Sequence, residues 1–161
     1  MPKEFEDRVF GRLQFSDTFW RGWAGTRTLG GAVELCVATA VEPWIPSEGE
    51  LPTENQRQAY LYFLANEAGI VAAVDEALLG YYRSIRHALA DVEGLPCDPR
   101  TAAEMRMLLS EPCVFVPVQR GDGPVIILQW ACAWDEERGV EVVVVGGSVT
   151  HVDRVGESGL Y

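Results

Sequence analysis

The chain has 161 residues, of which 48% are apolar and 23% charged, and its 24 acidic side chains outnumber 13 basic ones to give a formal charge of −11. This size and composition predict one globular domain over residues 1–161. The negative charge, with the arginines scattered along the chain, argues against binding to nucleic acid or to an anionic membrane surface, because both need a basic face. The negative charge is compatible with a basic protein partner. The composition does not indicate an oligomeric state.

The cysteines and the apolar runs indicate the cellular setting. The spacing of the cysteines forms no Cys-x-x-Cys pair, and neither histidine is close to one in sequence. Because no zinc-ligand spacing or nucleotide-binding motif is present, the sequence predicts no metal site and no cofactor. The first residues lack an apolar signal-peptide core, and no run approaches the ~20 apolar residues that span a bilayer. We therefore expect a cytoplasmic protein with four free thiols, Cys36, Cys97, Cys113 and Cys132.

The first part of the chain has the pattern of strands. Residues 8–41 alternate short apolar and polar runs between glycines, which predicts two or three antiparallel strands. The clearest is 32–41, AVELCVATAV, in which Val33, Leu35, Val37, Thr39 and Val41 share one face, as in a half-buried strand. The proline-rich stretch that follows, PWIPSEGELP at 43–52, predicts a loop.

Two helices are predicted after this loop. Thr53 and Gln56 have the spacing of a capping box, so a helix should begin there. Gly69 is expected to break or bend that helix. A second helix follows, because apolar side chains then recur at spacings of three and four. The core-facing residues are predicted to be Ile70, Val74, Leu78, Tyr81 and Ile85.

The last part of the chain returns to strands. Asp98 and Pro99 suggest an N-cap and first turn for a short third helix over 99–110. Apolar runs separated by GDG, DEERG and GG then predict a β-meander. The order strands, helices, strands predicts an α+β fold, in which an antiparallel sheet or sheets from the N- and C-terminal strands pack on a central block of about three helices.

The stretch WDEERG at 134–139 is the first candidate site. Its carboxylates could meet a basic partner or hold a cation. The structural interpretation makes the same residues a hairpin tip, in which Asp135 accepts backbone amides, Gly139 takes a positive φ and Trp134 packs beneath. The candidate partner-binding residues are Trp134, Asp135, Glu136, Glu137 and Arg138.

The end of the second helix is the other candidate site. The structural interpretation is a solvated last turn, whose positive side chains interact favourably with the negative end of the helix dipole. The functional interpretation is an anion-binding edge, although no glycine-rich phosphate loop accompanies it. The residues of this edge are Tyr82, Arg83, Arg86 and His87.

Three stretches together resemble a set of uncharacterised bacterial domains. They are FWRGW at 19–23, PTENQRQAYLYFLANE at 52–67 with a helix ending in Tyr-Tyr-Arg at 81–83, and CAWDEERGVEV at 132–142. The resemblance covers about residues 10–155, and its signature is a closing Trp-Asp-x-Glu-His-Gly hairpin. Arg138 stands here at the histidine position, and Glu141 at a position that is often a second glycine. The resemblance implies no known activity, but some members look like small acidic immunity proteins encoded near toxin genes.

These observations favour a non-enzymatic bacterial protein-binding domain, such as an immunity or adaptor protein that binds a basic partner. The support is the negative charge, the lack of a catalytic motif and the resemblance. The alternative is a hydrolase or a small-ligand-binding protein that uses the carboxylates of the Asp135–Arg138 loop with Tyr82 or His87 beside them.

Overall fold

A computed structural model describes residues 4–16, 19–39, 51–89, 99–121 and 123–158. Within these ranges the chain forms an α+β fold with one sheet and a helical block inserted in the middle of the sequence. The strands are β1 (Glu4–Asp7), β2 (Gly11–Ser16), β3 (Phe19–Gly25), β4 (Ala32–Ala38), β5 (Leu109–Val116), β6 (Val125–Cys132), β7 (Asp135–Val145) and β8 (Ser148–Arg154). The helices are α1 (Glu54–Ala65), α2 (Glu67–Ile85) and α3 (Ala102–Arg106), and a 3₁₀ turn (Arg86–Leu89) follows α2.

The eight strands lie in the sheet in the order of the sequence, β1 to β8. All neighbouring pairs are antiparallel except β4 and β5, which run parallel with Glu34 opposite Cys113 and Val37 opposite Val116. The prediction of a purely antiparallel sheet is therefore wrong. The physical reason is the inserted helical block, which carries the chain back so that β5 starts at the same end of the sheet as β4.

The strands predicted within residues 8–41 are confirmed as β2, β3 and β4, and a further strand precedes that range. The strand that the pattern missed is β1, whose residues pair with β2 from Glu4 opposite Gln14 to Asp7 opposite Gly11. Its sequence, EFED, carries a single apolar residue, so it shows little of the alternation that marks a strand. Charged side chains are common on such an edge strand, because they discourage pairing with another chain.

The capping box at the start of α1 is confirmed. The Thr53 hydroxyl accepts the Gln56 amide at 3.2 Å, and the Gln56 side chain accepts the Thr53 amide at 2.9 Å. The Gln56 side-chain amide also donates to the Ala38 carbonyl at 2.8 Å. This contact fixes the first turn of α1 to the carboxyl end of β4.

The break between α1 and α2 lies at Asn66, not at Gly69 as predicted. Asn66 has φ −118° and ψ 16°, and its amide still bonds to the carbonyls of Tyr62 and Phe63. Gly69 lies inside α2. The start of α2 is also held to the β3–β4 loop, because the buried Glu67 carboxylate accepts hydrogen bonds from the amides of Arg27 and Thr28.

The buried face of α2 follows steps of three and four, as the sequence predicted. Ile70, Val74 and Leu78 are buried as predicted, and the next member of the stripe is Tyr82, which is 1% exposed. Tyr81 and Ile85 are only half-buried, and Tyr81 packs against the edge of the core rather than inside it. At 100° per residue, Tyr81 and Ile85 share the buried face of α2, so their partial exposure follows from their position in the last two turns of the helix.

The third helix is shorter than predicted. It has five residues and begins after Thr101, whose hydroxyl accepts the Glu104 amide at 3.2 Å. Asp98, the predicted N-cap, lies outside the described residues. The helix ends early because Leu109 and Ser110 already pair with β6.

Both faces of the sheet are apolar near its centre. The helices cover one face, where Leu35, Val37, Val114, Leu128 and Val142 belong to the main core. The predicted division of the β4 side chains between two faces is confirmed, but the strand is not half-buried. Cys36 and Ala38 are buried on the other face in a smaller cluster with Cys113, Phe115, Ile127 and Val143. Among the described residues, none of the helices combines the length and hydrophobicity needed to cross a membrane.

Candidate functional site

The predicted site around WDEERG lies where β6 turns into β7. The turn itself is Ala133–Trp134, with Cys132 opposite Asp135. The prediction that DEERG forms the hairpin tip is therefore wrong, because Asp135–Arg138 are already the first residues of β7. The next matched pair is Trp130 with Val140. Residues 136–139 of β7 therefore lie opposite a single residue of β6, Ala131, and form a bulge.

Gly139 closes this bulge. Its φ is +77°, which confirms the positive value expected from the sequence. A Cβ at this position would lie 2.3 Å from the Trp130 carbonyl oxygen. Only glycine therefore fits between the bulge and β6.

The charged side chains of the bulge fall into two groups. Asp135 accepts the Arg138 amide at 3.2 Å, and its second oxygen lies 3.2 Å from Nε of Arg154. The Arg138 guanidinium in turn donates to Glu157 at 2.7 Å. Glu136 and Glu137 are exposed, and no ion pair joins either of them to another residue of the described ranges. Two carboxylates thus remain available to a partner.

Trp134 connects the two candidate sites. Its half-buried ring lies 5.2 Å from the ring of Tyr82, centroid to centroid, at an interplanar angle of 59°. Tyr82 is therefore part of the core and does not lie on an exposed anion-binding edge with its neighbours. The hairpin rests on the end of α2 through this aromatic contact.

The remaining residues of the proposed edge are exposed at the end of α2. Arg83 donates to the Pro99 carbonyl at 3.2 Å, which ties α2 to the segment before α3. Arg86 and His87 lie in the 3₁₀ turn, with exposed side chains. The structure thus keeps Arg83, Arg86 and His87 together on the surface while it removes Tyr82 from them.

Residues 9–158 match a protein family described as "Domain of unknown function (DUF6985)". The chain belongs to this family. The match supports the resemblance to an uncharacterised family over nearly the same length of chain. No curated protein and no solved structure matches this DUF6985 member.

The DUF6985 member also has a surface cleft that neither candidate site includes. The cleft encloses about 860 Å³ between the outer side of α1 and the β5–β6 loop, and it is lined by Asn55, Gln58, Tyr62, Gln119, Arg120 and Pro124 among others. On α1 the polar members recur at spacings of three and four, a pattern that is also typical of a solvated helix face. Within the described ranges, no group of three His, Cys, Asp or Glu side chains is arranged to hold a metal ion.

Proposed function

We propose that this DUF6985 member is a non-enzymatic protein-binding domain that binds a basic partner through the hairpin segment, residues Trp134–Arg138. The observation that carries the proposal is the division of its charges. Asp135 and Arg138 are held by ion pairs within the fold, whereas Glu136 and Glu137 are exposed without one among the described residues. The formal charge of −11 adds a long-range attraction for a basic protein.

The support beneath the two glutamates favours recognition by a preformed surface. Trp134 packs on Tyr82, and Gly139 brings the bulge against the Trp130 carbonyl. A segment fixed in this way loses little conformational entropy when a partner binds. The hairpin segment therefore suits a stable protein contact better than a flexible charged loop would.

The hydrolase or small-ligand alternative has less support. The Asp135 carboxylate already bonds to the Arg138 amide and lies beside the Arg154 guanidinium. The residues that line the described cleft come from α1 and the β5–β6 loop, and none belongs to the hairpin segment. Catalysis needs several polar groups that converge on one concave site, so these placements favour binding.

An immunity or adaptor role is the form of this proposal that the family resemblance favours. In that role the DUF6985 domain would cover a basic surface of another protein. The exposed glutamates would supply the charge, and the half-buried Trp134 would supply an aromatic edge of the kind that is enriched at interfaces.

The test is the binding of a cationic probe, an eight-residue peptide of alternating Lys and Trp, measured by isothermal titration calorimetry. We expect Glu136→Gln/Glu137→Gln to weaken binding about tenfold, since each exposed pair contributes a modest free energy that falls with salt. Both substitutions lie on the surface, so the free energy of unfolding should change by less than about 0.5 kcal/mol.

The matched control is Glu6→Gln/Glu76→Gln, which removes the same two charges from exposed positions on β1 and α2. It should weaken binding by no more than about twofold through the loss of long-range attraction. Equal effects of the two double variants would show that the peptide senses net charge alone, and the proposal would then fail.

A further inference from the structure

We propose that the cleft between α1 and the β5–β6 loop binds a small organic anion, a molecule with one carboxylate or phosphate group on an aromatic or apolar body. The cleft measures about 860 Å³, which lies within the range of ~300–1,000 Å³ that is typical of small-molecule sites. This inference concerns a different surface from the hairpin segment and does not depend on the proposed protein partner.

The position of the cleft in the fold favours a ligand site. It lies beyond the carboxyl end of β5, whose following loop supplies Gln119 and Arg120 to the lining. Gln56 fixes the first turn of α1 there, because its side-chain amide donates to the carbonyl of Ala38 at the end of β4. In open α/β sheets ligands bind outside the carboxyl ends of the parallel strands, and β5 belongs to the one parallel pair of the described sheet.

The walls of the cleft are held in place by contacts within the fold. The side chain of Gln119 donates to the carbonyls of Pro117 and Val125 at 2.9 and 3.0 Å and accepts the Val125 amide at 2.8 Å. These three bonds close the β5–β6 loop on itself. On the opposite wall the Tyr62 hydroxyl lies 3.1 Å from where a Cβ on Gly147 would be, so this tyrosine rests on the β7–β8 turn. A ligand would therefore meet a largely preformed site.

The chemistry of the lining indicates the class of ligand. Arg120 is exposed and is the charged residue that lines the cleft, and no ion pair joins it to the rest of the described chain. A guanidinium binds carboxylate and phosphate through paired, charge-assisted hydrogen bonds. Asn55 and Gln58 add side-chain amides, and the half-exposed rings and chains of Tyr62 and Leu61 offer apolar contact. The guanidinium would bind the single carboxylate or phosphate of the ligand, and the aromatic wall would contact its apolar body.

Among the described residues, Glu54 is the carboxylate that contacts a residue of the cleft, Gln58. Glu54 begins α1, and its side chain accepts hydrogen bonds from Arg8 and from Gln58, the latter at 2.8 Å. Its charge is therefore balanced by Arg8. The first-turn amides of α1 add a partial positive charge at the same end of the cleft.

The experiment is a titration of the ¹⁵N-labelled chain with four matched probes, benzoate, phenyl phosphate, benzamide and benzylamine, followed by ¹H–¹⁵N chemical shifts. We expect saturable shifts of the Arg120 Nε–H and of the Asn55 and Gln58 side-chain amides with one or both anions. The neutral amide and the cation should bind at least tenfold more weakly, and comparison of benzoate with phenyl phosphate decides between carboxylate and phosphate.

Arg120→Gln should weaken binding of the anion about tenfold, because the substitution removes a charge-assisted hydrogen bond. Arg86→Gln is the matched control, because it removes an arginine from the other candidate anion site at the end of α2 and should leave the affinity within twofold. Three results would overturn the proposal: no saturable shift at the cleft, equal binding of benzamide and benzoate, or a loss in Arg86→Gln as large as in Arg120→Gln.

Discussion

Tyr82 and Trp134 meet with their ring centroids 5.2 Å apart, which joins the end of α2 to the turn between β6 and β7. Tyr82 is fully buried, whereas Trp134 is only half-buried. The exposed glutamates of the hairpin segment follow this contact by two and three residues. The aromatic pair is therefore the point at which the core supports the proposed binding surface.

A double-mutant cycle measures this contact. We expect Tyr82→Leu and Trp134→Leu to show a coupling energy of about 0.5 to 1.5 kcal/mol, because an inclined aromatic pair stabilises beyond its buried area. Urea denaturation of the two single variants and the double variant gives the value. A cycle of Tyr82→Leu with Trp23→Leu is the control, since Trp23 is 71% exposed on β3 and its effect should be additive. Zero coupling in the first cycle would mean that the hairpin does not rest on α2.

Gly139→Ala should lower the free energy of unfolding by roughly 2 to 4 kcal/mol. The new Cβ would lie 2.3 Å from the Trp130 carbonyl oxygen, and φ is +77°, so steric overlap adds to backbone strain. Gly80→Ala is the opposite case, because Gly80 lies inside α2 with nothing within 4 Å of its Cβ position. Gly80→Ala should raise the free energy of unfolding by about 0.5 to 1 kcal/mol. The same urea measurement compares them, and similar effects of the two substitutions would contradict the described bulge.

Asp7 should make part of the stability dependent on acid pH. Burial acts to raise the pKa of Asp7, but hydrogen bonds from Arg57 and from the amides of Phe10 and Val9 outweigh it and lower the pKa below the ordinary value of 3.8. A lowered folded-state pKa gives a contribution that is complete above the unfolded value and is lost as pH falls through the folded one.

Asp7→Asn tests this dependence. At pH 7 we expect a loss of about 3 kcal/mol, because the substitution leaves Arg57, whose side chain is 16% exposed, without its carboxylate. Below pH 4 the difference from the wild-type chain should shrink, as shown by denaturation at pH 7, 4 and 3. Glu4→Gln, which breaks an exposed pair with Arg12, is the control and should show little change at any of these pH values. A constant difference for Asp7→Asn at all three pH values would argue against a lowered pKa.

The cysteines should be free but unequal in reactivity. Hydrogen bonding from the Cys113 thiol, whose sulfur lies 3.8 Å away, lowers the pKa of Cys36, whereas burial raises the pKa of Cys132 to about 11. Because the thiolate is the reactive form, iodoacetamide at pH 8 should label Cys36 before Cys132 in the native chain. Peptide mapping gives the order in which the cysteines are alkylated. After denaturation without reductant, all four thiols should be labelled. Recovery of two, or earlier labelling of Cys132, would refute this assignment.

Some features of the fold were determined by the sequence alone, because local interactions fix them. Thr53 and Gln56 are three residues apart, so their reciprocal hydrogen bonds follow from the helix itself. The alternation of β4 fixed which side chains share a face, and Gly139 followed from the need for a positive φ. The strands–helices–strands order likewise followed from the change in period along the chain.

The tertiary structure decided what depends on residues far apart in sequence. The parallel pairing of β4 with β5 places Glu34 beside Cys113, and no local pattern specifies that neighbour. The full burial of Tyr82 depends on its contact with Trp134, and the position of the hairpin turn depends on the register of β6 against β7. The cleft, too, exists only because α1 and the β5–β6 loop meet at one end of the sheet. Local hydrogen bonds and steric limits act within a few residues, whereas burial, register and cavities are set by the chain as it packs against itself.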